Sequence, residues 1–274
     1  MSRTIVVTGS ASGIGAATAG LLHERGDRVI GVDLRDAEVC ADLSSPAGRD
    51  AASSAVFAQV GDGALDGLVT CAGLSRAGAP QVSVNFFGTV DLVQDLRPLL
   101  ARSRAPRVAL VSSISSTQPT DPAIVEACLS GAEQAALEAA EAAVVGGRPH
   151  EIYSSTKAAL NQWLRRVAVS ADFAGAGIAV NAVAPGVVLT AMTEELVSDP
   201  QWKSVMDAAV PMPLNGYAPP EAIAHALLWL LAPENTHMAG QVVFVDGGAQ
   251  AVTAHHAIVL TRIPVAADAF TTSR

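Results

Sequence analysis

Charge is scarce in this 274-residue chain, and the little there is leans acidic: 17 basic against 26 acidic side chains, a formal net charge of −9. A protein that neutralises phosphates along a nucleic acid needs a basic stripe. None is present, so nucleic acid is not an expected partner. Cysteine is scarce too. Cys40, Cys71 and Cys128 are widely spaced, odd in number and match no metal-ligand spacing. That argues against a disulfide framework or a thiolate metal centre, and for reduced thiols in a cytoplasmic protein. The adjacent His255 and His256 have no further ligands beside them, so no metal is expected. Long apolar runs are missing as well. Ile5-Val6-Val7 is interrupted by Thr8-Gly9, too early for a signal peptide. Ala222 to Ala232, around His225, falls well short of the ~20 residues that span a bilayer. A soluble, cytoplasmic protein without a membrane partner is the expectation.

Half of the residues are hydrophobic, enough for a large core. Short β-branched runs at Thr4–Thr8, Arg28–Val32, Leu68–Cys71, Arg107–Ser112, Ile178–Val183 and Gln241–Val245 alternate with longer Ala- and Leu-rich segments, of which Gly15–Arg25 is the first. This order predicts an α/β fold: a doubly wound parallel sheet with crossover helices on both faces. With no break in composition, one domain runs from residue 1 to about Gly248. Two segments stand outside the alternation. Residues 118–148 read as an inserted helical hairpin, with Asp121-Pro122 as a helix start, Ser130-Gly131 as a break, and Ala132–Val145 closed by Gly146-Gly147. Residues 249–274 form a tail beyond the last strand, either an arm on a neighbouring subunit or a disordered end.

The first strand runs directly into Thr8-Gly9-Ser10-Ala11-Ser12-Gly13-Ile14-Gly15 and then a helix. Glycines there allow a tight turn and a close backbone approach to a pyrophosphate, and the helix start offers unpaired N–H groups to that anion. Its place at the end of the first strand is what gives the pattern weight. Asp33 ends the second strand, where a carboxylate accepts the adenosine-ribose hydroxyls and repels a 2′-phosphate. Arg35 nearby tolerates a phosphate, but Asp33 precedes it at the usual position, so NAD(H) is expected over NADP(H).

Tyr153 and Lys157 are four apart, on one face of a helix. A phenol titrates near 10, too high for a base at neutral pH, and a neighbouring ammonium favours the phenolate. Together with Gly9, Gly13 and Gly15, this pair resembles the short-chain dehydrogenase/reductase family, a Rossmann fold. The likeness runs from Ile5 to Gly248 through Asp42-Leu43, Ala72-Gly73, Asn85, Ser112-Ser113, Asn181, Pro185-Gly186 with Thr190, and Asp246-Gly247-Gly248.

The resemblance implies roles. Tyr153 is the acid/base, and Lys157 holds the nicotinamide ribose and depresses the tyrosine pKa. Ser113 bonds the substrate oxygen, with Ser112 as the competing candidate because neighbours on a strand point apart. Asn85 helps hold a water linked to Lys157. The cofactor is bordered by Ser12 and Ile14 in the first turn, and by Leu34 after Asp33. Asp42 and Leu43 lie at the adenine, Cys71, Ala72 and Gly73 follow the next strand, and Pro185, Gly186, Val188 and Thr190 lie at the nicotinamide. One departure is that Thr70 and Cys71 stand where the family commonly has two asparagines. Cys71 there reads as a small buried hydrophobe.

The 40 residues from Ser113 to Tyr153 exceed the dozen or so of most relatives, and the run Gly31 to Leu43 is similar to the bacterial 3α-hydroxysteroid dehydrogenase/carbonyl reductase branch, which carries an insertion at this place. That branch implies 3-hydroxy/3-keto-steroids and assorted carbonyl compounds as substrates. A smaller cyclic or aromatic alcohol is the alternative. A cofactor sensor without catalysis would be expected to lack Tyr153 or Lys157, and both are present. A lid over residues 191–217 offers Met192, Leu196, Trp202, Met206, Val210, Met212 and Leu214 as an apolar substrate wall, or as ordinary packing of an amphipathic helix. A homodimer or higher oligomer is expected, built on the last helix (Glu221–Leu231) and last strand, because the insertion stands before the helix of Tyr153.

Overall fold

The strands form where β-branched and aliphatic residues cluster tightly enough to be buried on both faces. In β1 (Thr4–Thr8), Ile5, Val6 and Val7 are wholly buried. The computed structural model describes residues 2–76 and 78–260. After β1 come α1 (Gly13–Glu24), β2 (Arg28–Asp33), β3 (Val39–Cys40), α2 (Pro46–Val60) and β4 (Gly67–Thr70). A short α3 (Pro80–Val82) passes through a π-helical turn at Ser83–Phe87 into α4 (Gly88–Leu100), and β5 (Arg107–Val111) follows. Then come α5 (Pro122–Leu129), α6 (Glu133–Val145), α7 (His150–Val167), β6 (Ala179–Pro185), α8 (Glu194–Ser198), α9 (Pro200–Ala209), α10 (Pro220–Leu230), β7 (Val242–Val245) and α11 (Ala249–Leu260).

All seven strands pair in parallel in the order β3-β2-β1-β4-β5-β6-β7. The order reverses between β1 and β4, and ligands of such sheets bind in the crevice beyond the strand ends at that point. Alternate residues of each strand feed opposite layers. Val6, Ile30 and Leu68 join α2, α4 and α7 on one face, while Ile5, Val7 and Val69 join the cluster that Leu22 of α1 and Ile223 and Leu227 of α10 share on the other. The β3 strand is an addition to the sequence reading. It has only two residues, paired Val32 to Val39 and Asp33 to Cys40, and offers no periodicity to detect.

The expected hairpin is α5 and α6. Asp121 caps α5 by accepting the Ala123 N–H at 2.9 Å, with Pro122 at the first helical position. Its ends are pinned together by Arg148 and Asp121 at 2.7 Å. Ile124, Cys128, Ala136, Ala140 and Ala143 are buried in the main core, so the hairpin packs as part of the fold. The tail begins as α11, where Asp246 accepts the Gly248 and Gln250 N–H groups at 3.0 and 2.7 Å. Residues 261–274 and the side chains of His255, His256 and Leu196 lie outside the described residues.

Candidate active site

The turn after β1 is shaped by what glycine permits. Gly9 (φ +67°) and Gly13 (φ +53°) both sit in the left-handed region that favours glycine. A Cβ on Gly9 would lie 2.8 Å from the Ala72 nitrogen, and one on Gly15 would lie 2.0 Å from the Gly9 carbonyl oxygen. The first glycine therefore lets β1 approach the end of β4, and the third lets α1 close on the turn. Ser12 is the cap residue of α1, yet its side chain makes no cap hydrogen bond and the first turn holds no acidic group. The N–H groups at that end remain open to an anion.

Asp33 is oriented by two backbone donors, Ala11 N–H at 2.9 Å and Leu34 N–H at 2.7 Å. Its carboxylate is thereby tied to the glycine turn, while the Leu34 side chain projects outward at 65% exposure. Asp42 turns on Ser44, whose hydroxyl and N–H hold its carboxyl below the usual carboxylate range, and Leu43 is buried. On the opposite wall, Thr8 Oγ1 accepts the Ala72 N–H at 3.0 Å. Cys71 is half-buried, and burial pushes its thiol up to about 12, with Thr18 and Lys157 acting the other way. A thiol so held is not reactive.

Past β6, Val188 bridges to Ala218, and Thr190 leans toward the turn, its Cγ2 3.1 Å from where a Gly13 Cβ would stand. Gly186 gives room for Met212, whose sulfur would lie 2.8 Å from a Cβ there and accepts the Val187 N–H at 3.2 Å. Pro185 pairs with Val245 of β7. Asn181 bonds Met238 and Gln241, which makes it a pin between strands.

Tyr153, Lys157 and Ser113 meet at the C-terminal edge of this crevice. Lys157 Nζ lies 5.7 Å from the centroid of the Tyr153 ring and donates to the Val111 carbonyl at 2.8 Å. Lys157 is only 4% exposed, and burial lowers its pKa to about 8. The two serines after β5 part company. Ser112 donates to Asn161 Oδ1 at 2.7 Å inside the core, while Ser113 caps the following turn and stands near enough to Tyr153 for its hydroxyl to lower the phenol's pKa.

One expectation needs correction. The phenol of Tyr153 stands above its ordinary value, because burial raises it more than the Ser113 hydroxyl lowers it. In this state the lysine does not bring it down. The Asn85 amide is engaged by the protein itself. Its Oδ1 accepts the Leu74 N–H at 2.7 Å and its Nδ2 donates to the Leu74 carbonyl at 2.9 Å. The side chain sits on the π turn and holds the loop after Gly73, where a Cβ would meet Asn85 Oδ1 at 3.3 Å.

Sequence reasoning missed the serines between the pair. Ser154 donates to the Pro119 carbonyl at 2.5 Å, and Ser155 accepts the Asp121 N–H at 2.8 Å, so the hairpin base rests on the helix of Tyr153. Their polarity in a buried stretch of helix is the signal that could have found them. The lid divides. Met206, Val210 and Met212 pack with Ile114, Val187 and Ala249 in a small core, whereas Met192, Trp202 and Leu214 are open, at 44%, 55% and 66% exposure. Among the described residues no three His, Cys, Asp or Glu side chains gather as a metal site, and no helix is long and apolar enough to cross a membrane.

A family model described as enoyl-(acyl carrier protein) reductase matches residues 9–250. The 3-alpha-hydroxysteroid dehydrogenase/carbonyl reductase of Comamonas testosteroni is 35% identical over 254 residues, 90% of this chain and 96% of that protein. The cis-4-hydroxycyclohexanecarboxylate dehydrogenase of Sinomonas cyclohexanicum is 32% identical over 260 residues, 91% of this chain and 97% of its own. Among solved structures, the 3-alpha-hydroxysteroid dehydrogenase from Pseudomonas sp. B-0831 complexed with NADH superposes with a TM-score of 0.84 at 41% identity, covering 92% of this chain and 98% of that one. With this parallel sheet and these matches along nine-tenths of its length, the chain belongs to the short-chain dehydrogenase/reductase family of oxidoreductases.

Proposed function

We propose that the protein interconverts a secondary alcohol and a ketone with NAD(H), acting on 3-hydroxy/3-keto-steroids and other bulky carbonyl compounds. The observation that carries this reading is the convergence of Tyr153, Ser113 and the buried Lys157 beside the glycine turn. The bound nicotinamide supplies or accepts the hydride. The open N–H groups of α1 suit a pyrophosphate, and Asp33, already aimed by Ala11 and Leu34, suits unphosphorylated ribose hydroxyls. Asp42 and Leu43 border the adenine. Pro185, Gly186, Val188 and Thr190 wall the nicotinamide end.

In reduction, Ser113 hydrogen-bonds the substrate oxygen and Tyr153 donates its proton to it. In oxidation, Tyr153 takes the proton back. Burial keeps the phenol protonated, which prepares the resting site for reduction. Lys157, titrating near 8, is mostly charged at neutral pH and orients the ribose hydroxyls. Asn85 serves this centre by fixing Leu74.

The steroid-type substrate is supported by the relatives' names and by the open apolar Met192 and Trp202 on the lid. The Sinomonas relative favours a second reading, a smaller cyclic alcohol. An oxidation screen of NADH and NADPH against 3-keto-steroids, quinones and small cyclic ketones separates them. The account expects NADH with the 3-keto-steroids. Turnover confined to small cyclic ketones selects the second reading, and a wide preference for NADPH overturns the reading of Asp33. A homodimer through α10 and β7 is part of the proposal, since α5 covers the flank of α7 while Trp229 of α10 is 53% exposed.

A further inference from the structure

Arg49 is a buried arginine whose contacts reach three other segments of the chain. It stands in the first turns of α2 and is 2% exposed. Its Nε lies 2.7 Å from Asp91 Oδ2 of α4, an ion pair whose geometry makes no hydrogen bond. Its two terminal nitrogens grip both oxygens of Glu133, the first residue of α6 and therefore part of the inserted hairpin. One of those nitrogens also donates to the Leu43 carbonyl at 3.3 Å.

Burying a guanidinium is costly unless its donors are engaged, and a planar fork matched to a carboxylate is the geometry only arginine supplies. The third contact is the informative one, because Leu43 belongs to the segment assigned to the adenine. That segment is tightly held on its other sides. A Cβ on Gly48 would lie 1.9 Å from the Asp42 carbonyl oxygen, and one on Gly88 would lie 3.2 Å from both Leu43 Cβ and its carbonyl oxygen. The carbonyl of Leu43 is thus set between α4 and a guanidinium whose orientation is dictated by the hairpin.

We propose that Arg49 is a positioning residue for the adenosine half of the dinucleotide, holding the Asp42–Leu43 segment against the inserted hairpin through Glu133. The inference rests on the reading of Asp42 and Leu43 as the adenine border. It gives the insertion a part in cofactor binding.

The test is calorimetric binding of ADP-ribose and of reduced nicotinamide mononucleotide to the wild type, Arg49→Lys and Glu133→Gln, with thermal melting alongside. Lysine keeps the charge and loses the fork. Glutamine keeps the volume and loses the charge, and the hairpin remains anchored by Ala136, Ala140 and Ala143. ADP-ribose affinity should fall about tenfold in Arg49→Lys and by a smaller factor in Glu133→Gln, the scale of one lost charge-assisted contact. Affinity for the mononucleotide and kcat at saturating NADH should not change. Unchanged ADP-ribose affinity in both variants, or equal losses for the two halves, overturns the proposal. A wild-type protein that binds no ADP-ribose overturns the dinucleotide reading itself, and the proposal with it.

Discussion

Ser112 and Ser113 are neighbours in sequence that point to opposite sides of β5, and alanine at each should therefore register in a different assay. Ser112 Oγ donates to Asn161 Oδ1 at 2.7 Å, with the two residues 1% and 7% exposed. Removing it leaves a buried acceptor without its donor, which costs about 1–3 kcal/mol. For a domain of this size each kcal/mol lowers Tm by roughly 2–4 °C, so a fall of about 2–12 °C is expected. Ser113 instead accepts the Ser115 N–H at 3.1 Å and faces Tyr153, so Ser113→Ala loses a modest cap and the hydroxyl aimed at the substrate oxygen. Loss of one preorganised donor costs about 10²–10³ in kcat, or roughly 3–4 kcal/mol of barrier. Melting curves and NADH oxidation at saturating carbonyl substrate read the two effects separately. The reasoning fails if Ser112→Ala is the kinetically dead variant and Ser113→Ala turns over normally.

Lys157 should control the pH dependence of cofactor binding. Burial lowers its pKa to about 8, so its charge is present below that value and lost above it. NADH affinity should weaken as pH rises through about 8, and the same limb should appear in Tyr153→Phe; its disappearance there would assign the titration to the phenol. Trp229→Glu places a charge in the proposed α10 contact and should shift sedimentation from dimer toward monomer, whereas an unchanged dimer places the interface elsewhere.

Legibility in the sequence followed the range over which each signal acts. The glycine turn, the acidic end of β2 and the Asp121-Pro122 helix start are local devices, and each sits where the sequence reading places it. The hairpin was legible for the same reason, through its cap, its break and its closing glycines. The two-residue β3 and the π turn at Ser83–Phe87 were not, since neither carries a period of its own and both exist through packing against neighbours. Helical spacing marked Met206, Val210 and Met212 as apolar on one face but could not say whether that face meets substrate or core, and the core holds them. Spacing put Tyr153 and Lys157 on one face as well. It could not report that burial would raise the phenol and lower the ammonium, because that depends on everything packed around α7. Asn85 is the sharpest case. Nothing in the sequence around it indicates that its amide is consumed by both backbone groups of Leu74, eleven residues away.

The central claim is that Tyr153 exchanges the proton while the cofactor is held by other groups, and one comparison reaches it most directly. Tyr153→Phe should be measured for NADH affinity by fluorescence and for turnover of a 3-keto-steroid or other accepted carbonyl. The account predicts affinity within about twofold of wild type and turnover reduced by at least ~10², the range contributed by a positioned acid. Turnover equal to that of the wild type would contradict it.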